Sequence, residues 1–479
     1  MKRVFSVLLC MTMLLSLCAC GGAAGSNPDG AATTEAAAGG FRVGYGKANI
    51  TPTQSVIMGG YGHMSSRFSK GVLSYLWVTC VAISDADDNT ILLYGMDLLG
   101  TSSIHEQKRT LISDATGVPK ENIVLSASHT HSAPSYTSQA PGLQEAIELL
   151  DDGLVEAART AMEDRKPARM YGGKIKTEGL NFVRHYLMKD GTYAGDNFGD
   201  KSSGYAGHAH DADPELQMIK FTREGDNDVY IANFQTHPHQ TGGGTKTDLS
   251  ADVVGEFRAN MEKDLGCEIA YFSGAGGNIN SRSRIESENT VGDWHAWGVK
   301  MTEYAKQVEY TELKVGKVQA QEFDFEAIVN HDDDAYAALC SDLYSRWNKN
   351  EITTDQLKEI GLKNGIVLQS AYHASGIASR AALGRSKSFV IGAYSFGDVG
   401  FVSASYEMFD TNGVFIKENS PFAMTVIATS SNGGNGYFPS LETFEYGSYE
   451  TNTSKYEAGT AERLADQFVK MLEEQFANK

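Results

Sequence analysis

Residues 123–134 read Ile123-Val-Leu-Ser-Ala-Ser-His129-Thr-His131-Ser-Ala-Pro134, a short apolar run that leads into a pair of histidines. The apolar run predicts a buried strand. If the chain stays extended, both histidine side chains fall on the same face at the end of that strand. Sites in α/β proteins commonly lie at strand ends, and a His-x-His pair there can hold zinc, or hold zinc and move protons. Two hydrogen-bonded histidines without a metal are the alternative.

Similar short apolar runs recur along the chain. They predict strands at Trp77–Ile83, Thr90–Tyr94, Ile123–Ser126, Gln217–Phe221, Val229–Phe234, Glu268–Phe272, Phe389–Tyr394 and Thr425–Ala428. Helical periodicity predicts helices at Ser103–Thr116, Leu143–Met162, Ala251–Leu265, His295–Val308 and Ala458–Phe476. Because strands and helices alternate, we predict an α/β fold with a layered, mixed β-sheet core and flanking helices.

Residues 331–386 differ from this pattern, since they are charged, favour helix and carry almost no strand signals. We predict a helical insertion or cap on the sheet core. No linker rich in Pro, Gly or Ser divides the chain after residue 40, so residues 41–479 are predicted to form a single domain.

The N-terminus predicts export. Lys2 and Arg3 precede an apolar run, Val4–Leu17, that is too short to span a membrane. The following Leu17-Cys18-Ala19-Cys20-Gly21 resembles a bacterial lipobox. We therefore predict a signal peptide at 1–19, a lipid on Cys20, a flexible Gly/Ala/Ser tether at 20–40, and an extracytoplasmic protein anchored to the bacterial cell membrane. An ordinary signal peptide that is cut nearby is the alternative.

Composition limits the partners. The chain has 41 basic and 60 acidic side chains and a formal net charge of −19, which disfavours nucleic acid and anionic membranes as partners. Beyond the signal, Cys80, Cys267 and Cys340 are odd in number and far apart, so they predict no disulfide framework and no metal spacing. Each is interpreted as a small buried hydrophobe.

Two further apolar runs end in groups that can bind a metal. Phe234-Gln-Thr-His237-Pro238-His239 follows a predicted strand, and spacing alone does not separate His237 from His239 as a second imidazole ligand. Glu407 comes just after an apolar run at residues 401–404, where a carboxylate costs desolvation unless it is paired or binds a cation. A glutamate at a helix N-terminus is the alternative for Glu407.

A glycine-rich stretch and an arginine complete the set. Gly433-Gly-Asn-Gly436 allows close backbone approach just before Tyr437, and Tyr449 follows. A tyrosine there can donate to an oxyanion or bind a metal as phenolate, although packing is the ordinary role of a tyrosine. Arg184 ends the stretch Asn181-Phe-Val-Arg184 and places a fixed positive charge there.

Taken in order, these pieces resemble the neutral/alkaline ceramidase family. The resemblance begins at Val43-Gly-Tyr-Gly-Lys-Ala-Asn-Ile-Thr-Pro52, continues through Met58-Gly-Gly-Tyr-Gly62 and Ser128-His-Thr-His-Ser132, and ends at the paired tyrosines and Glu450. The resemblance implies one bound zinc ion. The residues that match the family's zinc ligands are His129, His237, Glu407 and Tyr437. It also implies that His131 lies beside the scissile amide and that Arg184 and Tyr449 contact substrate.

The chain departs from the family at two points. It reads Gly277-Asn278-Ile279-Asn280-Ser281 where ceramidases usually read Gly-Asp-x-Ser-Pro, and the family's C-terminal β-sandwich domain is expected to be absent. The resemblance implies zinc-dependent hydrolysis of an N-acyl amide, above all ceramide or a related N-acyl lipid, to fatty acid and amine. The alternatives are a non-catalytic solute-binding lipoprotein, which does not need the four zinc ligands together, and a zinc hydrolase of esters.

Overall fold

The computed structural model describes residues 40–479 except 62–66, 102–103 and 244–245. The predicted signal peptide, the lipid on Cys20 and the tether as far as residue 39 lie outside the described residues. Among the helices of the described part, none is long and apolar enough to cross a membrane.

The apolar runs fold as the sequence predicts. Each of the eight predicted strands lies within an observed strand, so those predictions are confirmed. The strands are Arg42–Asn49 (β1), Gly71–Val72 (β2), Trp77–Ser84 (β3), Thr90–Met96 (β4), Ile123–Ala127 (β5), Lys166–Lys176 (β6), Phe182–Val183 (β7), His185–Met188 (β8), Tyr193–Gly195 (β9), Tyr205–His208 (β10), Glu215–Arg223 (β11), Val229–Phe234 (β12), Asp248–Leu249 (β13), Glu268–Ser273 (β14), Ile279–Asn280 (β15), Thr311–Leu313 (β16), Val318–Ile328 (β17), Ser386–Phe396 (β18), Val399–Ser403 (β19), Glu407–Met408 (β20), Met424–Ala428 (β21) and Tyr437–Phe438 (β22).

The five predicted helices are also present. The fourth ends at Ala305, so its predicted end at Val308 was too late. The helices of the described residues are His105–Thr116 (α1), Leu143–Glu163 (α2), Asp252–Leu265 (α3), Trp294–Ala305 (α4), Ala337–Asn348 (α5), Thr354–Lys363 (α6), Ala371–Ala381 (α7), Asp410–Asn419 (α8), Leu441–Tyr446 (α9), Tyr449–Thr453 (α10) and Thr460–Ala477 (α11).

Two sheets form the centre of the fold. The larger has the strand order β14-β12-β11-β6-β1-β3-β4-β5, and β16 also pairs with β6. Its pairs β4–β5 and β12–β14 are parallel and the others are antiparallel, so the sheet is mixed. The smaller sheet has the order β17-β18-β19-β21 with β19 and β21 parallel.

The two sheets pack face to face and helices cover their outer faces. Apolar side chains of both sheets share one core, which includes Ile231, Phe272, Phe401 and Val426. Helices α1 to α4 cover the larger sheet, and α8 and α11 cover the smaller one. Burial of each such side chain stabilises the fold by roughly 1.5–3 kcal/mol. The predicted layered α/β class with a mixed sheet is confirmed.

Glycines let α2 lie directly on β1. A Cβ at Gly44 would come within 2.0 Å of the Ala161 carbonyl oxygen, and one at Gly46 within 2.1 Å of the Ala157 carbonyl oxygen. Any larger residue at either position would push the helix off the sheet. This close contact gives a packing reason for the glycines of the Val43-Gly-Tyr-Gly46 motif.

The helical insertion is present where it was predicted. Helices α5, α6 and α7 enclose a small core of their own that includes Cys340, Leu343 and Ile377. The insertion packs tightly on α10, since a Cβ at Gly376 would lie 2.1 Å from the Asn452 carbonyl oxygen. Cys80, Cys267 and Cys340 are free and buried, so their interpretation as small buried hydrophobes is confirmed.

Candidate metal centre

Strands of both sheets end at one place and are bonded together there. The Ser273 hydroxyl, at the end of β14, donates to the Ser128 carbonyl just after β5 at 2.8 Å. The Thr429 backbone N–H, just after β21, donates to the Ser273 carbonyl at 3.0 Å. The Gly274 N–H donates to the Phe234 carbonyl of β12 at 2.9 Å. Loops that leave β5, β12, β14 and β21 therefore meet at the edge where α/β folds commonly bind ligands.

His129 does not extend β5, which corrects the predicted geometry of the histidine pair. The strand ends at Ala127, and His129 has a φ of +68°, in the left-handed region that a β-carbon disfavours. Such a conformation costs about 1–3 kcal/mol and is found at functional sites. The His129 Nδ1–H donates to the Leu99 carbonyl oxygen at 2.7 Å. That bond fixes the tautomer and leaves Nε2 free to bind a cation.

Three imidazoles converge at this point. Ligand nitrogens of His129, His131 and His237 all lie within 4.8 Å of one another, so this group could bind a metal. His131 Nε2 and His237 Nε2 are 3.0 Å apart. Burial, followed by the charges of neighbouring groups, lowers the pKa values of His131 and His237 well below the usual histidine value. Both are therefore neutral at pH 7, which is the form that binds metals.

His239 lies next to this group. Its Nδ1 bonds the His237 carbonyl oxygen at 2.8 Å, and its ring centroid is 5.5 Å from that of His237. Among the described residues, His237 belongs to the histidine group that could bind a metal and His239 does not, so the predicted choice of His237 as ligand is compatible with the geometry and stays a prediction.

Glu407 and Tyr437 come from a short parallel ladder. Residues Glu407 and Tyr437 are paired in the register of β20 and β22. Glu407 Oε2 lies 3.3 Å from His129 Nε2, and this buried oxygen makes no hydrogen bond to any described residue. Ligand atoms around a four-coordinate zinc are about 3.3 Å apart, and a buried carboxylate oxygen without a partner is costly. The donor set of imidazoles and a carboxylate therefore fits a zinc ion.

The remaining predicted residues surround Tyr437. Its ring centroid is 5.8 Å from that of Tyr449, and the Arg184 guanidinium carbon lies 5.5 Å from its ring centroid. Burial and the Glu407 carboxylate raise the pKa of Tyr437 well above its usual value, so its hydroxyl stays protonated unless a cation lies beside it. The structure thus brings all the predicted site residues together, while their individual roles stay predictions.

Comparison with known proteins supports the resemblance. Residues 41–277 match the family described as neutral/alkaline non-lysosomal ceramidase, N-terminal. Over these residues the chain is similar to the neutral/alkaline ceramidase family. The neutral ceramidase of Pseudomonas aeruginosa is 26% identical over 194 residues, which are 38% of this chain and 27% of that protein. The aligned part thus spans only about a quarter of that relative.

Solved ceramidase structures share the fold. A crystal structure of neutral ceramidase from Pseudomonas aeruginosa superposes with a TM-score of 0.66 at 17% identity, covering 90% of this chain and 74% of that chain. A structure of a ceramidase complexed with C2 superposes with the same values. At this identity the likeness establishes the fold. The three ceramidase-like residues Glu407, Tyr437 and Tyr449 lie outside the matched range 41–277.

A buried ion network behind the ceramidase-like site was not predicted. Arg184 Nε donates to Glu450 Oε1 at 2.7 Å, and His185 Nε2 donates to Glu450 Oε2 at 2.8 Å. Arg184 also donates from Nη2 to the Gly277 carbonyl at 2.7 Å. Burial alone would raise the pKa of Glu450, but the charges and hydrogen bonds of Arg184 and His185 outweigh it and lower the pKa to about 2. The only signal in the sequence was an acid next to Tyr449.

A cavity of about 250 Å³ opens beside His129 and Glu407. Its other walls are apolar side chains, hydroxyls and glycine backbone: Leu99, Gly100, Ile104, Pro134, Ser135, Tyr136, Thr137, Tyr406, Ser430, Gly433, Gly434 and Gly436. The glycine-rich stretch therefore lines this cavity, as its sequence suggested.

Proposed function

We propose that the chain is a zinc-dependent hydrolase of N-acyl amides, with ceramide or a related N-acyl lipid as the favoured substrate. The observation that carries the proposal is the buried Glu407 Oε2, which makes no hydrogen bond to any residue that the structure describes and lies 3.3 Å from His129 Nε2. The similarity to proteins named neutral ceramidase supplies the substrate class. His129, His237, Glu407 and Tyr437 would hold the zinc.

The protein's own groups account for the proton transfers. Bound zinc would lower the pKa of a water molecule and polarise the acyl carbonyl. His131 is neutral, so its Nε2 can accept a proton from the attacking water and return it to the leaving nitrogen. The acyl carbon gains the water oxygen as the C–N bond breaks, and the products are a fatty acid and an amine.

Arg184 and Tyr449 would bind the polar part of the substrate. The Glu450 carboxylate outweighs the effect of burial and raises the pKa of Arg184, so its guanidinium stays charged. Two of its nitrogens are held by Glu450 and the Gly277 carbonyl, which fixes the plane of the group beside Tyr437. A fixed donor of this kind stabilises negative charge that develops on a substrate oxygen.

The decisive experiment is mass spectrometry of products after incubation with a soluble short-chain ceramide, other N-acyl amides and simple esters. We expect fatty acid and amine from the amides, loss of turnover with a chelator, and recovery with zinc. Glu407→Gln is the matched inactive control. Turnover of esters alone would make the protein an esterase, and tight binding of a solute without turnover would make it a binding protein.

We also propose that a lipid on Cys20 anchors the protein outside the cytoplasmic membrane. The lipobox-like sequence at residues 17–21 supports this location. Cys20→Ser should release the protein into the medium or leave the signal uncleaved, as shown by fractionation of cells. A Cys20→Ser protein that fractionates like the wild type would rule out the anchor.

A further inference from the structure

Four large apolar side chains lie exposed within eight residues of the chain. They are Phe68, Val72, Leu73 and Tyr75, which are 39%, 46%, 48% and 60% exposed, and we call them the apolar rim. Of the twelve large hydrophobic side chains exposed among the described residues, a third are in this short segment. Single exposed apolar residues are ordinary, but a cluster of them marks an interaction surface.

The backbone of the apolar rim is fixed. Strand β2 pairs in parallel with β13, and the Leu73 N–H donates to the Leu249 carbonyl at 2.8 Å. The Lys70 N–H donates to the Thr247 carbonyl at 2.9 Å, and Ser69 bonds the backbone of Val56 through both its N–H and its hydroxyl. The exposed side chains are therefore presented by a hydrogen-bonded framework, so their exposure does not come from a poorly packed loop.

The apolar rim adjoins the candidate metal centre through two routes. Arg67, just before Phe68, donates to the His131 carbonyl oxygen and lies over the Tyr61 ring at 4.8 Å. Ser250, just after β13, donates its N–H to the Ser132 carbonyl at 3.0 Å and accepts from the Thr130 hydroxyl at 2.7 Å. The segment that holds the rim is thus bonded directly to the loop that carries His129 and His131.

The charge of this region differs from that of the whole chain. Residues 41–84 contain no aspartate or glutamate, although the chain has 60 acidic residues among 479. Lys70 is exposed within the rim segment, and Lys246 is exposed beside it, close to Asp248 of β13. The acidic rest of the protein repels an anionic surface. The rim segment does not, so it can approach an anionic or zwitterionic surface.

We propose that the apolar rim docks on a lipid layer, so that an N-acyl lipid reaches the metal centre from the layer itself. Apolar side chains flanked by lysine are the composition that inserts into a bilayer interface. The inference rests on the proposed function for its substrate, but the docking itself does not need catalysis.

Co-sedimentation with vesicles tests the docking. All proteins carry Cys20→Ser, so that no covalent lipid contributes, and the vesicles are phosphatidylcholine with or without phosphatidylglycerol. The double variant Leu73→Asp/Tyr75→Asp should bind at least about tenfold more weakly, because two apolar side chains no longer enter the layer. The matched control is Leu362→Asp/Val367→Asp in the helical insertion, where the side chains are 66% and 72% exposed. It should bind like the parent.

Turnover separates this inference from the proposed function. The rim variant should cleave a monomeric short-chain ceramide within about twofold of the parent, but long-chain ceramide in vesicles at least about tenfold more slowly. Equal vesicle binding by the rim and control variants would overturn the docking. So would a rim variant that loses only self-association in sedimentation velocity, since the rim would then contact a second copy. Absence of turnover by every protein would refute the proposed function, and vesicle binding would still decide the docking.

Discussion

The candidate metal centre is built from two regions of the chain. They differ in the donor groups that they supply and in whether the family match covers them. The first lies within residues 41–277 and supplies imidazoles from His129, His131 and His237. The second lies within residues 401–450 and supplies a carboxylate and phenols from Glu407, Tyr437 and Tyr449. The family match covers only the first region, whereas the solved ceramidase structures superpose on 90% of the chain.

The predicted zinc ligands are therefore divided between the two regions. The first region supplies nitrogen donors, and the second region supplies oxygen donors from a carboxylate and phenols, both of which zinc accepts. Their contact depends on the packing of the two sheets and on bonds between distant segments, such as Arg184 with Glu450. The function therefore depends on how firmly the two regions are held together.

The largest effect is expected from removal of an imidazole ligand. His129→Ala or His237→Ala should lose the zinc and with it at least about 10⁴-fold in turnover, because both metal functions, water activation and carbonyl polarisation, disappear. Metal analysis of the purified variants measures the loss. His239→Ala is the control and should keep near-equimolar zinc. Full metal retention in both ligand variants would mean that neither His129 nor His237 is a metal ligand.

His131 should behave differently from its neighbours in the same region. His131→Ala should keep its zinc but lose about 10²–10⁴-fold in kcat, because a general acid–base group is removed while the ligands stay. Metal content and kcat are measured on the same preparation. If His131→Ala loses zinc while His129→Ala keeps it, the roles of the two histidines are reversed.

The link between the two regions should show in the pH dependence of stability. The pKa of Glu450 is lowered from 4.5 to about 2 in the fold, so its ionised form stabilises the protein above pH 4.5 and this stabilisation is lost as pH falls through 2. It amounts to about 3 kcal/mol at pH 7, of which about 2 kcal/mol is gone by pH 3. Urea unfolding of wild type and Glu450→Gln between pH 6 and pH 3 measures the difference.

Two outcomes are expected from that series. Glu450→Gln should be less stable at pH 6, since Arg184 is left buried without its counter-ion, and its stability should fall less steeply toward pH 3. Glu445→Gln, which changes an exposed acid on α9, should follow the wild type. Parallel curves for wild type and Glu450→Gln would show that the carboxylate is not ionised in the fold.

The strands that the sequence predicted are largely buried. Their apolar side chains are continuous because sheet and helix, or sheet and sheet, cover them. Strands β6 and β17 were not predicted. Only three of the eleven positions of β17 are buried, and β6 contains a proline and two glycines, so neither shows the continuous apolar run.

The site was predictable as a set of residue types and unpredictable in its geometry. Apolar runs placed histidines and a carboxylate at strand ends, and the resemblance supplied their grouping. Two features could not be predicted from the sequence because they arise only from tertiary contacts. The left-handed conformation of His129 depends on a bond to the Leu99 carbonyl, and the Glu450–Arg184 pair joins residues 266 positions apart.

The smallest effect is expected at Asn432, which joins the second region to β5, the last strand of the larger sheet. Its Oδ1 accepts from the Leu125 N–H at 2.9 Å, and its Nδ2 donates to the Ile123 carbonyl at 3.1 Å. Asn432→Gly should lower the free energy of unfolding by about 2 kcal/mol, since a buried strand N–H loses its partner. Asn432→Ala should cost about 1 kcal/mol more, because φ is +49° at this position and a β-carbon is strained there. Urea unfolding measures both, and equal stability of all three proteins would show that this link does not hold the two regions together.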